Sequence, residues 1–115
     1  MTPLQVTKNY VELSNNGKLD LIAELIDLNA TYSSENVGMH YGLEAILQMK
    51  AKFFSNLLEH HWDVLEYELI QDRIIRFRFN FIGKDQKGIE IKKSGIETVV
   101  VNLQNKIQHV EVKNI

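Results

Sequence analysis

The stretch Ile74-Ile75-Arg76-Phe77-Arg78-Phe79-Asn80-Phe81-Ile82 alternates without a break. Ile75, Phe77, Phe79 and Phe81 fall on one face of an extended chain, and Arg76, Arg78 and Asn80 on the other, because successive strand side chains point to opposite sides. A strand of this kind lays one face on a core and turns the other to solvent. Its neighbours share the period. Residues 61–71 read as a strand with Leu65, Tyr67 and Leu69 on one face, and Asp72-Arg73 as the tight turn between the two. The polar loop 83–88, framed by glycines, closes a second hairpin. Residues 89–103 are long for one strand and contain Gly95, which reads as a bend or bulge. Gln104-Asn105 is the last turn and 106–113 the last strand.

Upstream of this meander the period is helical. Val6, Tyr10 and Leu13 share one helical face, and Asn15-Asn16-Gly17 stops that helix, since Asn and Gly accept the left-handed conformation. A short second helix buries Leu19, Ile22, Ala23 and Ile26, and Asp27-Leu28-Asn29 closes it. Residues 30–34 are extended, with Ala30, Tyr32 and Ser34 on one face and Thr31, Ser33 and Glu35 on the other. Residues 36–42 read as a loop. The longest helix covers 43–58, with Ile46, Met49, Phe53 and Leu57 as its apolar stripe, widened by Ala45 and Phe54. Helices followed by hairpins predict an α+β domain, three N-terminal helices packed on one face of a bent antiparallel sheet. Such a sheet makes a cone-shaped roll whose wide end can hold a small molecule.

Composition sets the outer limits. The chain has 115 residues, no cysteine, 13 basic and 15 acidic residues and a net charge of −2. That length suits one domain, residues 1–115, with one core. Lack of cysteine excludes disulfides and a thiolate nucleophile. The mild acidity argues against a nucleic-acid partner. No apolar run approaches the roughly 20 residues that span a bilayer, so no membrane association is expected. The first residues lack the basic and apolar stretches of a signal peptide, which makes a cytoplasmic location the expectation. No cofactor is expected, because no phosphate loop, dinucleotide fingerprint or serine–histidine–acid series occurs. No metal is expected either: His60 and His61 point to opposite faces of a strand, and neither His40 nor His109 completes a ligand spacing.

Four segments resemble a known superfamily. Tyr10-Val11-Glu12-Leu13-Ser14-Asn15-Asn16-Gly17-Lys18-Leu19-Asp20 is similar to the first-helix signature of nuclear transport factor 2-like proteins, which share a cystatin-like cone with SnoaL-like polyketide cyclases and steroid delta-isomerases. Asn29-Ala30-Thr31-Tyr32, Tyr41-Gly42-Leu43-Glu44-Ala45-Ile46 and Gly95-Ile96-Glu97-Thr98-Val99-Val100-Val101 with Asn105-Lys106-Ile107 follow in family order. The fold hosts many functions. Steroid delta-isomerase builds an oxyanion hole from a tyrosine and a protonated acid, with a separate aspartate as base. The resemblance matches Tyr10 to that tyrosine and Glu97 to that acid. Ser34 stands where the base should be, and a hydroxyl does not take a proton from carbon unaided. The resemblance therefore implies the pocket and its oxyanion side.

The residues leave alternatives. Tyr10 is a donor to a ligand oxygen, or a core tyrosine bonded to a neighbour. Glu97 is a desolvated acid with a raised pKa, or a solvated group at the mouth. Tyr32 and Ser34 contact a polar ligand atom, or serve as core and spacer. His40, in the loop near the expected mouth, moves a proton or is simply exposed. Arg76 and Arg78 form an anion site, a polar outer face or part of a dimer interface. Met49, Phe53, Phe77, Phe79 and Val99 supply apolar walls. Two readings follow: a domain binding an apolar or mixed-polarity small molecule, with cofactor-free isomerisation, dehydration or cyclisation by Tyr10, Glu97 and His40, or a non-catalytic dimerising module whose pocket its own side chains fill. The resemblance also implies a homodimer, with Trp62, Ile96 and Thr98 contributing to its surface.

Overall fold

A computed structural model describes residues 1–115. Helix α1 (Pro3–Asn15) begins with a capping box: Thr2 Oγ1 accepts from the Gln5 amide at 3.1 Å, and the Gln5 side chain accepts from the Thr2 amide at 2.8 Å. Pro3 occupies the first helical turn, where its missing N–H has no partner to lose. Helix α2 (Leu19–Leu25) is followed directly by β1 (Ile26–Ser34), then β2 (Gly38–Tyr41), α3 (Leu43–Ser55), β3 (Leu57–Gln71), β4 (Ile74–Asp85), β5 (Glu90–Val101) and β6 (Ile107–Asn114).

The six strands form one sheet in the order β2-β1-β6-β5-β4-β3. All pairs are antiparallel except β1 with β6, which is parallel. That pair joins the chain's early strand to its last one and makes the sheet mixed. The sheet is not closed, since β2 and β3 are edges. The helices pack against its inner face, with Val6, Ile22 and Ile46 buried against Phe77, Val99 and Val101.

The alternating stretch behaves as its pattern requires. Ile75, Phe77, Phe79 and Phe81 are buried, while Arg76, Arg78 and Asn80 are exposed. Several boundaries differ from expectation. β1 starts at Ile26, not at Ala30, because Ile26 already pairs with Ile107 before the register shifts. The segment expected as a loop contains β2, in which Thr31 to Ser34 pair with Tyr41 to Gly38. α3 ends at Ser55, and β3 begins at Leu57. Tyr67 and Leu69 keep the expected face, paired with Phe77 and Ile75, although Leu69 is exposed on the edge strand, whereas Leu65 is exposed on the other side. A register shift between Val64 and Glu66 puts Val64 and Tyr67 inward and leaves Leu65 outside.

Gly95 is not a bulge. β4 and β5 pair continuously through Phe79 and Gly95. The glycine is required by close packing: a Cβ there would lie 2.5 Å from Cζ of Phe79 and 2.8 Å from the Lys113 carbonyl oxygen. The Phe79 ring therefore lies across the β5 backbone, and its position on the inner face depends on the missing side chain.

Candidate functional site

Two adjoining cavities lie between the helices and the sheet. The larger, about 150 Å³, is mostly apolar, with Met49, Phe53, Trp62, Phe79 and Phe81 among its walls. Asn36, Val37, Ile91 and Lys93 also border it, and Lys93 Nζ donates to Asn36 Oδ1 at 3.2 Å. The smaller, about 30 Å³, lies beside Tyr10, Val11, Ser14 and Phe77. Tyr32, Lys50, Trp62 and Glu97 border both.

Glu97 stands on the inner face of β5, paired with Phe77 on one side and Val112 on the other. The residue is 6% exposed. No protein group hydrogen-bonds its carboxyl, and no buried polar side-chain atom in the chain lacks a partner, so the carboxyl oxygens open onto the cavities. Burial raises its pKa from 4.5 to about 7, with nearby Lys50 acting in the opposite direction.

Lys50 is the group that the sequence reading missed. It belongs to the buried face of α3 and is 7% exposed. Its Nζ donates to the Tyr10 hydroxyl at 2.5 Å and lies 4.8 Å from the Tyr32 ring centroid. Burial pulls its pKa from 10.5 down to about 8, and Glu97 opposes that fall. Lys50 and Glu97 form no ion pair within 4.0 Å. A signal was present in the spacing: Lys50 lies four residues after Ile46, three before Phe53 and four before Phe54, on the apolar face itself. A lysine in such a stripe is rarely fully buried, which is why it reads as a solvated flank.

Tyr10 is 3% exposed and lies deep on α1. Its pKa is raised well above the ordinary value by burial, then by Tyr32 and Glu97. It borders only the small cavity, and its hydroxyl is engaged by Lys50. Tyr32 is half-buried with its pKa raised by burial and by Glu97. Ser34 borders the large cavity; its Oγ accepts from the Asn36 amide at 3.0 Å. Of the other expected residues, Met49, Phe53 and Phe79 border the large cavity and Phe77 the small one. Val99 is packed in the core and borders neither. His40 also borders neither: it sits on β2, where its Nε2 lies 2.7 Å from the Val37 carbonyl oxygen.

Trp62 was expected on an outer surface and is found inside. Its register partner is Phe81, and its ring stacks on Phe53 at 5.7 Å between centroids. Asn15 holds the Trp62 backbone from both sides, donating to its carbonyl at 3.0 Å and accepting from its amide at 2.7 Å. The end of α1 is thereby tied to β3, which turns the indole into the cavity. No three His, Cys, Asp or Glu side chains are grouped so as to hold a metal ion.

No family model matches the chain, and no curated protein matches it by sequence. Solved structures do match in shape. A nuclear transport factor 2-like protein of unknown function from Exiguobacterium sp. 255-15 superposes with a TM-score of 0.85 at 16% identity, covering 96% of this chain and 98% of its own. The epoxide hydrolase/cyclase-like enzyme SalBIII, of pyran ring formation in salinomycin, gives 0.87 at 16% identity over 98% and 90%. RV0760c from Mycobacterium tuberculosis, in complex with estradiol-17beta-hemisuccinate, gives 0.86 at 13% identity over 97% and 93%. At these identities the likeness is one of fold: the chain has the α+β roll seen in solved nuclear transport factor 2-like and SnoaL-like structures.

Proposed function

We infer that residues 1–115 form one SnoaL-like domain that binds a small, largely apolar molecule in the 150 Å³ cavity and moves a proton on it without a cofactor. The observation that carries this reading is a buried carboxyl with no protein partner, facing an apolar cavity beside a buried amine. An acid in that setting stays protonated to near neutrality. It therefore donates and accepts a proton at ordinary pH, as acid–base catalysis requires. The solved structures of the same fold that hold a steroid ester or belong to a cyclase-like enzyme support small-molecule binding.

The parts divide as follows. Met49, Phe53, Trp62 and Phe79 enclose the apolar body of the ligand. Glu97 exchanges the proton. Lys50, whose Nζ donates to the Tyr10 hydroxyl, offers a further N–H to an oxygen that gains charge in the reaction. Tyr10 acts through Lys50 rather than on the ligand. Ser34 offers a hydroxyl at the wall. His40 has no part, being bonded at the Val37 carbonyl. Because no carboxylate occupies position 34, one acid–base group does the work, which suits dehydration or ring closure better than a two-carboxylate shuttle. A homodimer across the outer sheet face, with Ile96 and Thr98 in it, is the assembly we infer.

The test is a thermal-shift series with neutral single-ring ligands. A ligand held only by the folded chain at about 100 times its Kd adds about 2.7 kcal/mol of stability. Melting temperatures should rise for wild type and rise less for Phe53→Ala. If no ligand shifts the melt and no Trp62 or Tyr32 resonance moves, the cavity is not a binding site.

A further inference from the structure

We propose that Lys50 is a nucleophile that forms an imine with a small aldehyde or ketone held in the cavity. This rests on the reading that a small molecule enters there, and adds a covalent step that the reading does not contain.

The argument is geometric. Lys50 Nζ is withdrawn from solvent, is bonded to a single neutral phenol, and packs against a second aromatic ring. No carboxylate lies close enough to hold it as an ammonium in an ion pair. An amine so placed is shifted toward its neutral form, which alone is nucleophilic. Lys50 and Glu97 are not in direct contact within 4.0 Å, and both border the same cavity, so a carbonyl group held there meets the amine and the acid together. The volume suits one six-membered ring with its substituent.

The step balances without any other reactant. The Nζ lone pair attacks the carbonyl carbon, a C–N bond forms, and the C=O π pair moves to oxygen, which takes up a proton from the Glu97 acid. The Glu97 carboxylate then removes a proton from nitrogen. It returns that proton to the carbinolamine hydroxyl, which leaves as water while the C=N bond forms. The carbon next to the imine is thereby acidified, and the same carboxylate is within the site to take its proton.

The experiment incubates the full chain with benzaldehyde and sodium cyanoborohydride near neutral pH, then locates the benzyl group by intact mass and peptide mapping. A parallel sample uses benzyl alcohol, which matches the probe in size and cannot form an imine, with occupancy read from Trp62 and Tyr32 resonances. The expected result is one benzyl group on Lys50 ahead of any other lysine, lost in Lys50→Arg while exposed lysines react as before. Should benzyl alcohol occupy the cavity while benzaldehyde marks only exposed lysines, the imine is refuted and the binding reading stands. Should neither compound perturb the cavity resonances and Lys50 stay unmodified, both fall. Labelling of Lys50 that persists when excess benzyl alcohol fills the cavity also refutes the proposal, since the reaction would not run through the site.

Discussion

Replacing Glu97 with Gln isolates the cost of burying a carboxyl beside Phe77 and Val112. Gln has the same shape and no charge at any pH. In wild type, folding raises the Glu97 pKa from 4.5 to about 7. The folded chain therefore keeps a proton that the unfolded chain releases as the pH climbs through that interval. Stability tied to the retained proton is fully present below pH 4.5 and is lost as the pH rises through about 7. A shift of ~2.5 units at 1.36 kcal/mol each amounts to about 3 kcal/mol. Part is offset, because the Gln variant deprives the Lys50 ammonium of its nearby countercharge. The net expectation is that Glu97→Gln gains about 1–3 kcal/mol on wild type between pH 4.5 and pH 7.5, or very roughly 4 °C of melting temperature per kcal/mol. Urea titrations of both proteins at half-unit pH steps and constant salt give the difference, since every titrating group other than Lys50, which Glu97 influences, is common to the two. A difference that stays flat across the window refutes the reasoning and makes Glu97 an ordinary solvated carboxylate. A slope of opposite sign refutes it differently, by showing that Lys50 holds the group ionised.

Four further outcomes are expected. Tyr10→Phe removes the only hydrogen-bond acceptor of Lys50 Nζ; it should destabilise the fold by about 1–3 kcal/mol and lower the Lys50 pKa further, as read from its side-chain carbon resonances. Gly95→Ala forces a Cβ to 2.5 Å from the Phe79 ring, so denaturant midpoints should report a loss of about 1–3 kcal/mol, with Phe79 displaced into the cavity and small ligands excluded. Thr2→Ala breaks the capping box of α1 and should cost about 1 kcal/mol with ligand-induced melting shifts unchanged, a control for effects remote from the site. Sedimentation equilibrium checks the inferred dimer: a monomer at all concentrations rules out the outer-face assembly.

Much of the architecture was legible because it rests on local periods. The change from a 3.6-residue to a two-residue repeat separates α1, α2 and α3 from β3, β4, β5 and β6, and it assigned Ile75, Phe77, Phe79 and Phe81 to the inner face, where they are buried. For Glu97 the sequence left a desolvated acid and a solvated group at the mouth as alternatives, and the residue is buried. Legibility failed where a local rule met a long-range partner. β1 extends back to Ile26 because Ile107 is there to pair with it, and β2 exists because β1 offers it an edge. Leu65 is outside because a register shift against β4 changes the phase of β3. Trp62 faces inward because Asn15, 47 residues earlier, grips its backbone.

The chain alone determined the order of its three helices and of the four strands of its meander, and the buried face of β4, since repeat periods carry that information within a few residues. Tertiary structure alone decided that Tyr10 of α1, Tyr32 of β1, Lys50 of α3 and Glu97 of β5 meet around one cavity. Nothing local distinguishes a lysine lying along an apolar stripe in water from one enclosed beneath a sheet. The difference is made by the parallel pairing of β6 with β1 and the docking of α1 on β3, which bury the amine and the carboxyl together, and that shared desolvation shifts both groups toward their neutral forms.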